Sequence, residues 1–358
     1  MGRLVPVEAI GDPTFVDALR RAWDDGDAVL PVDPRLPKAA VERLLAALGA
    51  GEPVDEGDAL VVCTSGTTGA PKGVVLTHDA VRASALATSS RLGVDPARDS
   101  WLACLPLAHV GGLGVVTRAL VTGTPLVVQP GFDADAVTAA GATLVSLVAT
   151  ALQRLADPLA FRTIVLGGAA PPDVLPANTV TTYGMTETGS GVVYDGVPLD
   201  GVEVRVDEAG GIELRGPMLL RAYRDGTDPK DGDGWLATGD LGTWDDTRLA
   251  VHGRASDLII SGGENVWPAA VERVIAGLAG VAEVAVAGRP DPEWGQRVVA
   301  VVVAADPAAP PALADVRDAV KAAIGPWAAP KEIELVTALP RTALGKVRRG
   351  DLGAPPRD

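Results

Sequence analysis

Hydroxyl side chains, glycines and one lysine are interleaved in one stretch of this sequence, CTSGTTGAPKGVVLTH at residues 63–78. The apolar runs at 59–62 and 74–76 predict short buried strands, so the polar segment between them is predicted to be a turn. Glycines let backbone amides approach an anion, hydroxyls donate hydrogen bonds and a lysine adds positive charge. We therefore predict that this turn binds a polyphosphate, through Thr64, Ser65, Gly66, Thr67, Thr68, Gly69 and Lys72.

The spacing of the lysine separates this segment from a Walker A loop. In that motif the lysine directly follows the second glycine, whereas Lys72 lies three residues after Gly69 and is followed by Gly73. The alternative is a surface turn without a ligand, which the close interleaving of hydroxyls, glycines and a lysine disfavours.

Composition and charge narrow the class of protein. Of the 358 residues, 47% are hydrophobic and 22% charged, values of a soluble globular protein with room for two domains. The net charge of −15 argues against a nucleic-acid-binding surface. No apolar run reaches the roughly 18 residues of a membrane span, and the N-terminal segment lacks a signal-peptide core, so we expect a cytoplasmic protein without stable membrane association. Two cysteines give no basis for a disulfide framework or a zinc site.

Apolar runs and helical patterns alternate in the first two thirds of the chain. Runs at 124–128, 143–147 and 161–166 alternate with helical patterns at 133–140 and 149–156. This alternation predicts an α/β fold with a parallel, doubly wound sheet.

Three further helices are predicted around the polyphosphate segment. Two amphipathic helices, 13–24 and 37–48, are joined by a Pro/Asp-rich link. The third is predicted at 79–92, with Asp79 as its N-cap.

The last part of the chain has a different pattern. The runs 201–206 and 211–215 flank a turn sequence and predict a hairpin, hence an antiparallel β lobe beside the doubly wound sheet. A helix, two strands and a second helix are predicted between residues 268 and 323, which indicates a small α+β domain. We therefore divide the chain into a large N-terminal domain, residues 1–254, and a small C-terminal lid domain, residues 255–358.

Further motifs combine glycine with polar side chains. They are Gly167-Gly168 after a predicted strand, TTYGMTET at 181–188, TGD at 238–240, HGRASDLIISGGEN at 252–265 and PRTALGK at 340–346. Together with the stretch at 63–78 they resemble the adenylate-forming superfamily of acyl-CoA synthetases, adenylation domains and luciferases, over nearly the whole chain from about residue 59. The resemblance implies that ATP and a carboxylate form an acyl-adenylate and pyrophosphate, and that a thiol such as coenzyme A then displaces AMP.

The resemblance also implies roles in nucleotide binding. Tyr183 offers a ring face for stacking, and Glu187 a hard oxygen ligand for Mg²⁺. The plain alternatives are a βα turn at Gly167-Gly168 and a strand end with a buried tyrosine. The residues implied to bind ATP or AMP are Gly167, Gly168, Tyr183 and Gly184 at adenine, Asp240 and Arg254 at the ribose, and Thr186 at the α-phosphate.

A mobile C-terminal lid is implied to serve both half-reactions. Lys346 is implied as a catalytic residue beside Thr186 and Glu187, and Gly263 as the glycine that lines the pantetheine tunnel of coenzyme A. At the hinge position, where relatives carry Asp or Lys, this chain has Ser256. This departure does not exclude Ser256 as the pivot of lid rotation, because a small residue can also absorb a large dihedral change.

The acyl pocket is implied by the segment LPLAHVGG at 105–112, which is similar to the family segment that lines it. His109 is implied as a substrate contact rather than a base, and Gly112 lies at the start of the following helix. Arg118 is about two and a half helical turns further on. Considered by itself, Arg118 could instead lie on a solvated face of this helix, without a role in substrate binding.

Within the superfamily, the chain is most similar to compact o-succinylbenzoate-CoA ligases of menaquinone biosynthesis. The similarity rests on the short leader, on LPLAHVGG and on YGMTETGSGVVYDGVPLDGV at 183–202. o-Succinylbenzoate keeps one carboxylate when the other is activated, and a buried anion needs a cation or donors. We predict Arg118 as that cation, with Ser190 and the backbone of 189–191 as neutral donors.

Three alternatives stay open at this level. The acid could be another aryl or short aliphatic acid, or the chain could load a carrier protein, although no carrier-like segment follows residue 346. From a different class, it could be a nucleotide-binding module without turnover. The sequence does not fix an oligomeric state, so a homodimer remains open.

Overall fold

The computed structural model describes residues 2–65, 71–341 and 347–352. The predicted site residues Gly66, Thr67, Thr68, Gly69 and Lys346 therefore lie outside the described residues. The chain forms two compact units. The larger comprises Met1–Arg205, Glu213–Ala237 and Trp244–Leu249, and the smaller comprises Val206–Ile212, Thr238–Thr243 and Ala250–Asp358.

The regular elements are numbered in chain order. The helices are α1 Pro13–Asp24, α2 Lys38–Leu48, α3 His78–Leu92, α4 Val110–Thr122, α5 Ala134–Ala139, α6 Ala149–Leu152, α7 Pro268–Ala276 and α8 Leu313–Ala323. The strands up to residue 200 are β1 Leu4–Glu8, β2 Ala28–Val32, β3 Asp58–Ser65, β4 Pro71–Thr77, β5 Trp101–Ala103, β6 Leu126–Val128, β7 Leu144–Leu147, β8 Thr163–Leu166, β9 Thr179–Gly184, β10 Gly191–Tyr194 and β11 Val197–Pro198. The later strands are β12 Glu203–Val206, β13 Gly211–Arg215, β14 Ala222–Tyr223, β15 Leu236–Trp244, β16 Leu249–Arg254, β17 Ile259–Ser261, β18 Glu264–Val266, β19 Val281–Asp291, β20 Gly295–Ala304 and β21 Glu332–Leu335.

The seven-stranded sheet confirms the predicted α/β fold. Its strand order is β11-β10-β9-β8-β7-β5-β6, and neighbouring strands from β9 to β6 run parallel. Alternate residues such as Leu102, Val145 and Ile164 pack on one face with α5 and α6. Helix α4 contacts β5 and β7 as well. Because Trp101 alternates with Leu102, it lies on the opposite face, and helices thus cover the sheet on both sides.

A second sheet of the larger unit was not predicted. It has the order β1-β2-β3-β4-β14, with β1, β2 and β3 parallel and β3, β4 and β14 antiparallel. Strand β2 replaces part of the predicted Pro/Asp-rich link. The prolines Pro6 and Pro31 hid β1 and β2 from pattern reading, because proline is uncommon inside strands.

The predicted polyphosphate turn joins two strands of this second sheet. β3 and β4 pair antiparallel, with Thr64 opposite Lys72 and Ser65 opposite Pro71. The strands expected at 59–62 and 74–76 are confirmed and are longer than predicted. Residues 63–65 and 71–73 therefore lie at the paired ends of two antiparallel strands.

The bounds of α1, α2, α3 and α5 agree with the predictions to within one residue, but the cap of α3 and the end of α6 differ. α3 begins at His78, and its N-cap is Thr77 rather than the predicted Asp79, because the amide of Ala80 donates to Thr77 Oγ1 at 3.1 Å. The helix predicted at 149–156 is only α6. After it the amides of Arg154 and Leu155 bond carbonyls three residues back, which tightens the turn and ends the α-helix.

The remaining β lobe is a four-stranded sheet in the order β12-β13-β15-β16. The predicted hairpin at 201–215 is present in β12 and β13. The amide of Asp207 donates to the carbonyl of Gly211 at 3.0 Å, and that of Gly210 to Asp207 at 3.0 Å, which closes its turn.

The smaller unit also contains the predicted α+β arrangement. Its sheet has the order β18-β17-β20-β19, with β21 parallel to β20. Helices α7 and α8 contribute Val271, Ile275, Val316 and Val320 to a core with β19 and β20. The hairpin of β19 and β20 extends beyond the predicted strands because pairing continues to Asp291 and Gly295. Across the described ranges, no helix has the length and apolar character needed to cross a membrane.

The cap of α3 gives a direct stability test. Thr77→Ala removes the acceptor for the Ala80 amide and should lower the free energy of unfolding by about 1 kcal/mol. Asp79→Ala removes only a first-turn charge and should cost roughly half as much. Urea unfolding measures both, and Thr77→Ser is the control that keeps the hydroxyl. A larger loss in Asp79→Ala than in Thr77→Ala would contradict this assignment.

Candidate active site

The carboxyl ends of the parallel strands bring two of the sequence motifs together. β8 ends at Leu166, directly before Gly167, and β9 ends at Gly184. The two strands pair in parallel, with Leu166 opposite Thr181. The carboxyl edge of such a sheet is where α/β proteins bind ligands. Gly167-Gly168 and the YGMTET segment are therefore neighbours at a binding edge.

Glycines leave bare backbone at this edge. A Cβ on Gly167 would lie 2.6 Å from Thr182 Oγ1, and one on Gly184 would lie 2.2 Å from the carbonyl oxygen of Ser190. Gly168 has a φ of +86°, in the left-handed region that favours glycine. A side chain at any of these three positions would clash or strain the backbone. The edge beside the half-buried Tyr183 is therefore lined by backbone without side chains at these positions.

The predicted site residues Thr186 and Glu187 lie in a short 3₁₀ turn, Thr186–Thr188, shortly after β9. The amide of Met185 donates to Thr188 Oγ1 at 2.9 Å, and this buried hydroxyl donates to the carbonyl of Ser190 at 2.6 Å. The amide of Leu220 donates to the carbonyl of Glu187 at 2.7 Å. These bonds fix the backbone of the turn.

Tyr223 is a site residue that the sequence analysis missed. Its hydroxyl donates to Glu187 Oε1 at 3.0 Å, and Lys72 Nζ lies 4.9 Å from the centre of its ring. Burial, together with the nearby Glu187 carboxylate, raises the pKa of Tyr223 to about 12. Tyr223 thus connects two predicted site residues that are far apart in the sequence. Its segment, RAYRDG, has no spacing that would have revealed this.

His109 lies at the N-terminus of α4, as predicted, and Gly112 packs in its first turn. A Cβ on Gly112 would lie 2.4 Å from the carbonyl oxygen of Leu105, so only glycine lets the helix begin here. His109 Nε2 is 3.6 Å from Asp33 Oδ2. Asp33 follows β2 directly, so it was missed together with that strand.

The Asp33 carboxylate is itself held by Arg35. Arg35 Nε donates to Oδ1 at 2.9 Å and Nη2 to Oδ2 at 2.6 Å. These hydrogen bonds lower the pKa of Asp33 from 3.8 to about 2, although burial opposes the change. Asp33 is therefore a fixed negative charge beside the His109 imidazole.

Arg118 is buried on α4, which excludes the solvated helix face. Its side chain is only 3% exposed, and Nη2 donates to Ser190 Oγ at 3.1 Å. The guanidinium carbon lies 4.7 Å from the ring centre of Trp101. Within the described ranges, Nε and Nη1 have no hydrogen-bond partner. Burial lowers the pKa of the guanidinium.

A small cavity of the larger unit shares Gly114 with the surroundings of Arg118 and Ser190. Gly114 lines it, and a Cβ on this glycine would be 3.3 Å from Ser190 Oγ and 3.8 Å from Arg118 Nη2. Gly114 therefore borders both the cavity and the Arg118–Ser190 pair. The residues that line the cavity are Leu60, Leu76, Ala80, Val81, Ser84, Leu113, Gly114, Thr117 and Gly189.

The smaller unit holds Asp240 and Arg254 together. Arg254 Nε is 2.9 Å from Asp240 Oδ1, and Arg254 Nη1 donates to the carbonyl of Thr238 at 2.9 Å. The amide of Asp240 donates to Thr238 Oγ1 at 3.1 Å. The Asp240 side chain is buried and that of Arg254 is half exposed.

Gly263 and Ser256 also belong to the smaller unit. Gly262 and Gly263 form the turn between β17 and β18 with φ values of +61° and +85°, as two-residue hairpins of this type require. A Cβ on Gly262 would lie 2.7 Å from the ring of Trp294, whereas one on Gly263 meets no atom within 4 Å. Ser256 is exposed in the 3₁₀ turn Ala255–Asp257.

Glu187 has the chemistry to bind a magnesium ion whose remaining ligands come from water and a phosphorylated ligand. Throughout the part of the chain that the structure describes, no group of three or more His, Cys, Asp or Glu side chains could hold a metal alone. Mg²⁺ usually binds through one or two carboxylates plus waters and substrate phosphates. A single half-buried carboxylate near Lys72 suits that kind of site.

Comparison with known proteins identifies the family to which the chain belongs. The family model described as AMP-binding enzyme matches residues 23–223, and the model of the AMP-binding enzyme C-terminal domain matches residues 270–346. The chain belongs to the AMP-binding enzyme family. This confirms the resemblance found from the motifs.

Named relatives of this family are similar along most of the chain. A probable 2-succinylbenzoate–CoA ligase of Mycobacterium tuberculosis is 40% identical over 94% of both chains. The 2-succinylbenzoate–CoA ligase of Listeria monocytogenes is 36% identical over 82% of this chain and 69% of its own. The o-succinylbenzoate CoA synthetase of Bacillus subtilis in complex with its acyl-adenylate intermediate is 27% identical, with a TM-score of 0.89 over 99% of this chain and 89% of its own. The adenylate-forming fold is therefore shown.

The Asp33–Arg35 pair should make stability depend on acid pH. A folded-state pKa of about 2 against 3.8 corresponds to at most about 2 kcal/mol. Because the pKa is lowered, this contribution is complete above about pH 4 and disappears as the pH falls toward 2. Urea unfolding should show Asp33→Asn less stable at pH 7, with a deficit that shrinks below pH 4.

Asp17→Asn, which removes an exposed carboxylate on α1, is the control and should leave stability nearly unchanged at each pH. A deficit of Asp33→Asn that grows on acidification would show that the sign is wrong.

Proposed function

We propose that this protein is an ATP-dependent acid–thiol ligase that converts o-succinylbenzoate to o-succinylbenzoyl-CoA with release of AMP and pyrophosphate, a step of menaquinone biosynthesis. The observation that supports this substrate best is the buried Arg118 guanidinium beside Ser190, with Nε and Nη1 lacking partners among the described residues. The names of the relatives from Mycobacterium tuberculosis and Listeria monocytogenes point to the same acid.

The charge of the substrate matches the charge of the pocket. Activation consumes one carboxylate of o-succinylbenzoate, and the aromatic carboxylate remains an anion. Arg118 Nε and Nη1 are donors without acceptors, and a carboxylate supplies two oxygens that can accept from a guanidinium. Ser190 Oγ, already in contact with Nη2, lies within the same group of donors.

Two other functions are supported less well. A ligase for a monocarboxylic acid would leave the guanidinium buried without a counter-charge throughout the reaction. A module without turnover would not need Glu187 held by Tyr223, or Asp240 held by Arg254. Both remain as outcomes of the tests below.

ATP is proposed to bind along the carboxyl edge of the parallel sheet and the segment 63–73. Adenine would lie on Gly167, Gly168 and Tyr183, and Lys72 would neutralise phosphate charge. Glu187 would hold Mg²⁺, which supplies further charge neutralisation when bound. Thr186 would donate to the α-phosphate.

The lid is proposed to comprise residues 255–358, with its pivot at Ser256. The exposed Ala255–Asp257 turn directly after Arg254 supports this position. Asp240 and Arg254 would bind the ribose. Lys346 would stabilise charge between the attacking carboxylate and the α-phosphate. Rotation of the lid would then bring Gly263 to the coenzyme A thiol.

The substrates also suggest where the enzyme works. ATP and coenzyme A are used in the cytoplasm, so we propose that compartment, and a homodimer is an assembly that sedimentation would test. Neither nucleic acid nor a membrane is needed for the reaction.

A panel of acids tests the substrate. With o-succinylbenzoate, benzoate, 4-phenylbutyrate and short fatty acids, CoA ligation should favour o-succinylbenzoate.

Arg118→Ala should raise the KM for o-succinylbenzoate by about 10- to 1000-fold, equal to ~1.4 to 4 kcal/mol, and change the KM of ATP much less. Arg154→Ala is the matched control, because Arg154 also lies over an aromatic ring, that of Phe132, and is exposed.

A preference for monocarboxylic acids would contradict the proposed substrate. Absence of ATP–pyrophosphate exchange with every acid would contradict the ligase function itself.

Two substitutions in the lid should separate the half-reactions. Lys346→Ala should abolish adenylation and leave thiolation of supplied acyl-adenylate nearly intact, with Lys321→Ala as the control lysine. Gly263→Leu should block thiolation and spare adenylation. Gly263→Ala controls for backbone strain, because both variants place a side chain at a φ of +85° and only leucine is bulky.

Single-turnover assays of each half-reaction measure these effects. Equal losses in both half-reactions would contradict a lid that alternates between them.

A further inference from the structure

Tyr223 lies where two strands and the 3₁₀ turn meet. It belongs to β14, which pairs with β4 so that Tyr223 is opposite Val74. Lys72 lies two residues before Val74, on the same face of β4 and diagonal to Tyr223. On the other side, the amide of Leu220, just before β14, donates to the carbonyl of Glu187. The phenol is therefore placed between a cation and a carboxylate.

The two contacts of Tyr223 are chemically distinct. The hydroxyl donates to Glu187 Oε1 at 3.0 Å, and the ring lies 4.9 Å from the ammonium of Lys72. A phenol is protonated at neutral pH, so this hydroxyl is available as a donor to the carboxylate. A bond at Oε1 leaves Oε2 free to face a cation.

We propose that Tyr223 is a positioning residue of the nucleotide site: its hydroxyl orients Glu187 toward magnesium and its ring orients Lys72 toward phosphate. This inference rests on the proposed function, because it requires that Glu187 and Lys72 bind Mg²⁺ and ATP. Hydrogen bonds behind a metal ligand commonly change metal affinity by about 10- to 100-fold.

The attachment of β14 does not depend on the phenol. The amide of Arg221 donates to Val75 at 2.9 Å and that of Arg224 to Gly73 at 2.7 Å. Arg221 also holds the buried Asp58 through two hydrogen bonds of 2.9 Å. Loss of the Tyr223 hydroxyl should therefore leave the strand in place.

Two variants separate the hydroxyl from the ring. Tyr223→Phe keeps the ring under Lys72 and frees Glu187, whereas Tyr223→Leu removes both contacts. Calorimetry measures ATP binding by the whole chain with Mg²⁺ and with EDTA, and ATP–pyrophosphate exchange is followed against Mg²⁺ concentration.

For Tyr223→Phe we expect the Mg²⁺ concentration at half-maximal exchange to rise by about 10- to 100-fold, with ATP binding in EDTA within about twofold of wild type. Tyr223→Leu should additionally weaken ATP binding in EDTA by about threefold or more, because Lys72 loses its ring contact. In a Glu187→Gln background, Tyr223→Phe should add no further loss.

Tyr194→Phe is the control, since that buried hydroxyl contacts Thr88 rather than either charge, and its Mg²⁺ response should match wild type. An unchanged Mg²⁺ response in Tyr223→Phe overturns the inference. So does an equal weakening of ATP binding with Mg²⁺ and with EDTA, which indicates a purely structural role. Wild-type protein without exchange for any acid would instead overturn the proposed function, and the calorimetric comparison would still decide the role of Tyr223.

Discussion

The guanidinium of Arg118 is a positive charge buried inside the larger unit, and its neighbours meet only part of its need for hydrogen-bond acceptors and opposite charge. Burying a charge costs several kcal/mol unless an opposite charge or hydrogen bonds offset that cost. Nη2 donates to Ser190 and the ring of Trp101 lies against the guanidinium, but Nε and Nη1 find no partner in the part of the chain that the structure describes. An apolar side chain would fill this space without the cost. The arginine is explained best by an anion that completes its surroundings during the reaction.

Two carboxylates of the larger unit are oriented by hydrogen bonds from neighbouring side chains. Asp33 is fixed by Arg35, and Glu187 by the hydroxyl of Tyr223, so each carboxylate keeps a defined orientation. The chain as a whole carries a charge of −15, which does not attract anionic substrates from a distance. Under the proposed function, Lys72 and Arg118 would therefore act locally; Lys72 is exposed on β4 and Arg118 is buried on α4.

The sequence predicted what depends on local pattern. The parallel sheet, the helices and the strands at 59–62 and 74–76 follow from periodicity, and Arg118 and Ser190 were both expected near the acid because of its charge. Tyr223 and Asp33 were missed because their partners, Glu187 and His109, are distant in the sequence, and no local spacing encodes such contacts. Strand β2 was missed because its proline weakens the strand pattern.

The stability of Arg118→Met, with and without o-succinylbenzoate, tests the central claim most directly. Methionine removes the buried charge and keeps an unbranched side chain, so urea unfolding without ligand should show a loss below about 1 kcal/mol, or a gain. At about 100 times its Kd, o-succinylbenzoate should stabilise the wild type by about 2.7 kcal/mol. At the same ligand concentration it should stabilise Arg118→Met far less. A loss of several kcal/mol without ligand, combined with undiminished stabilisation by o-succinylbenzoate, would show that Arg118 serves the fold and not the substrate.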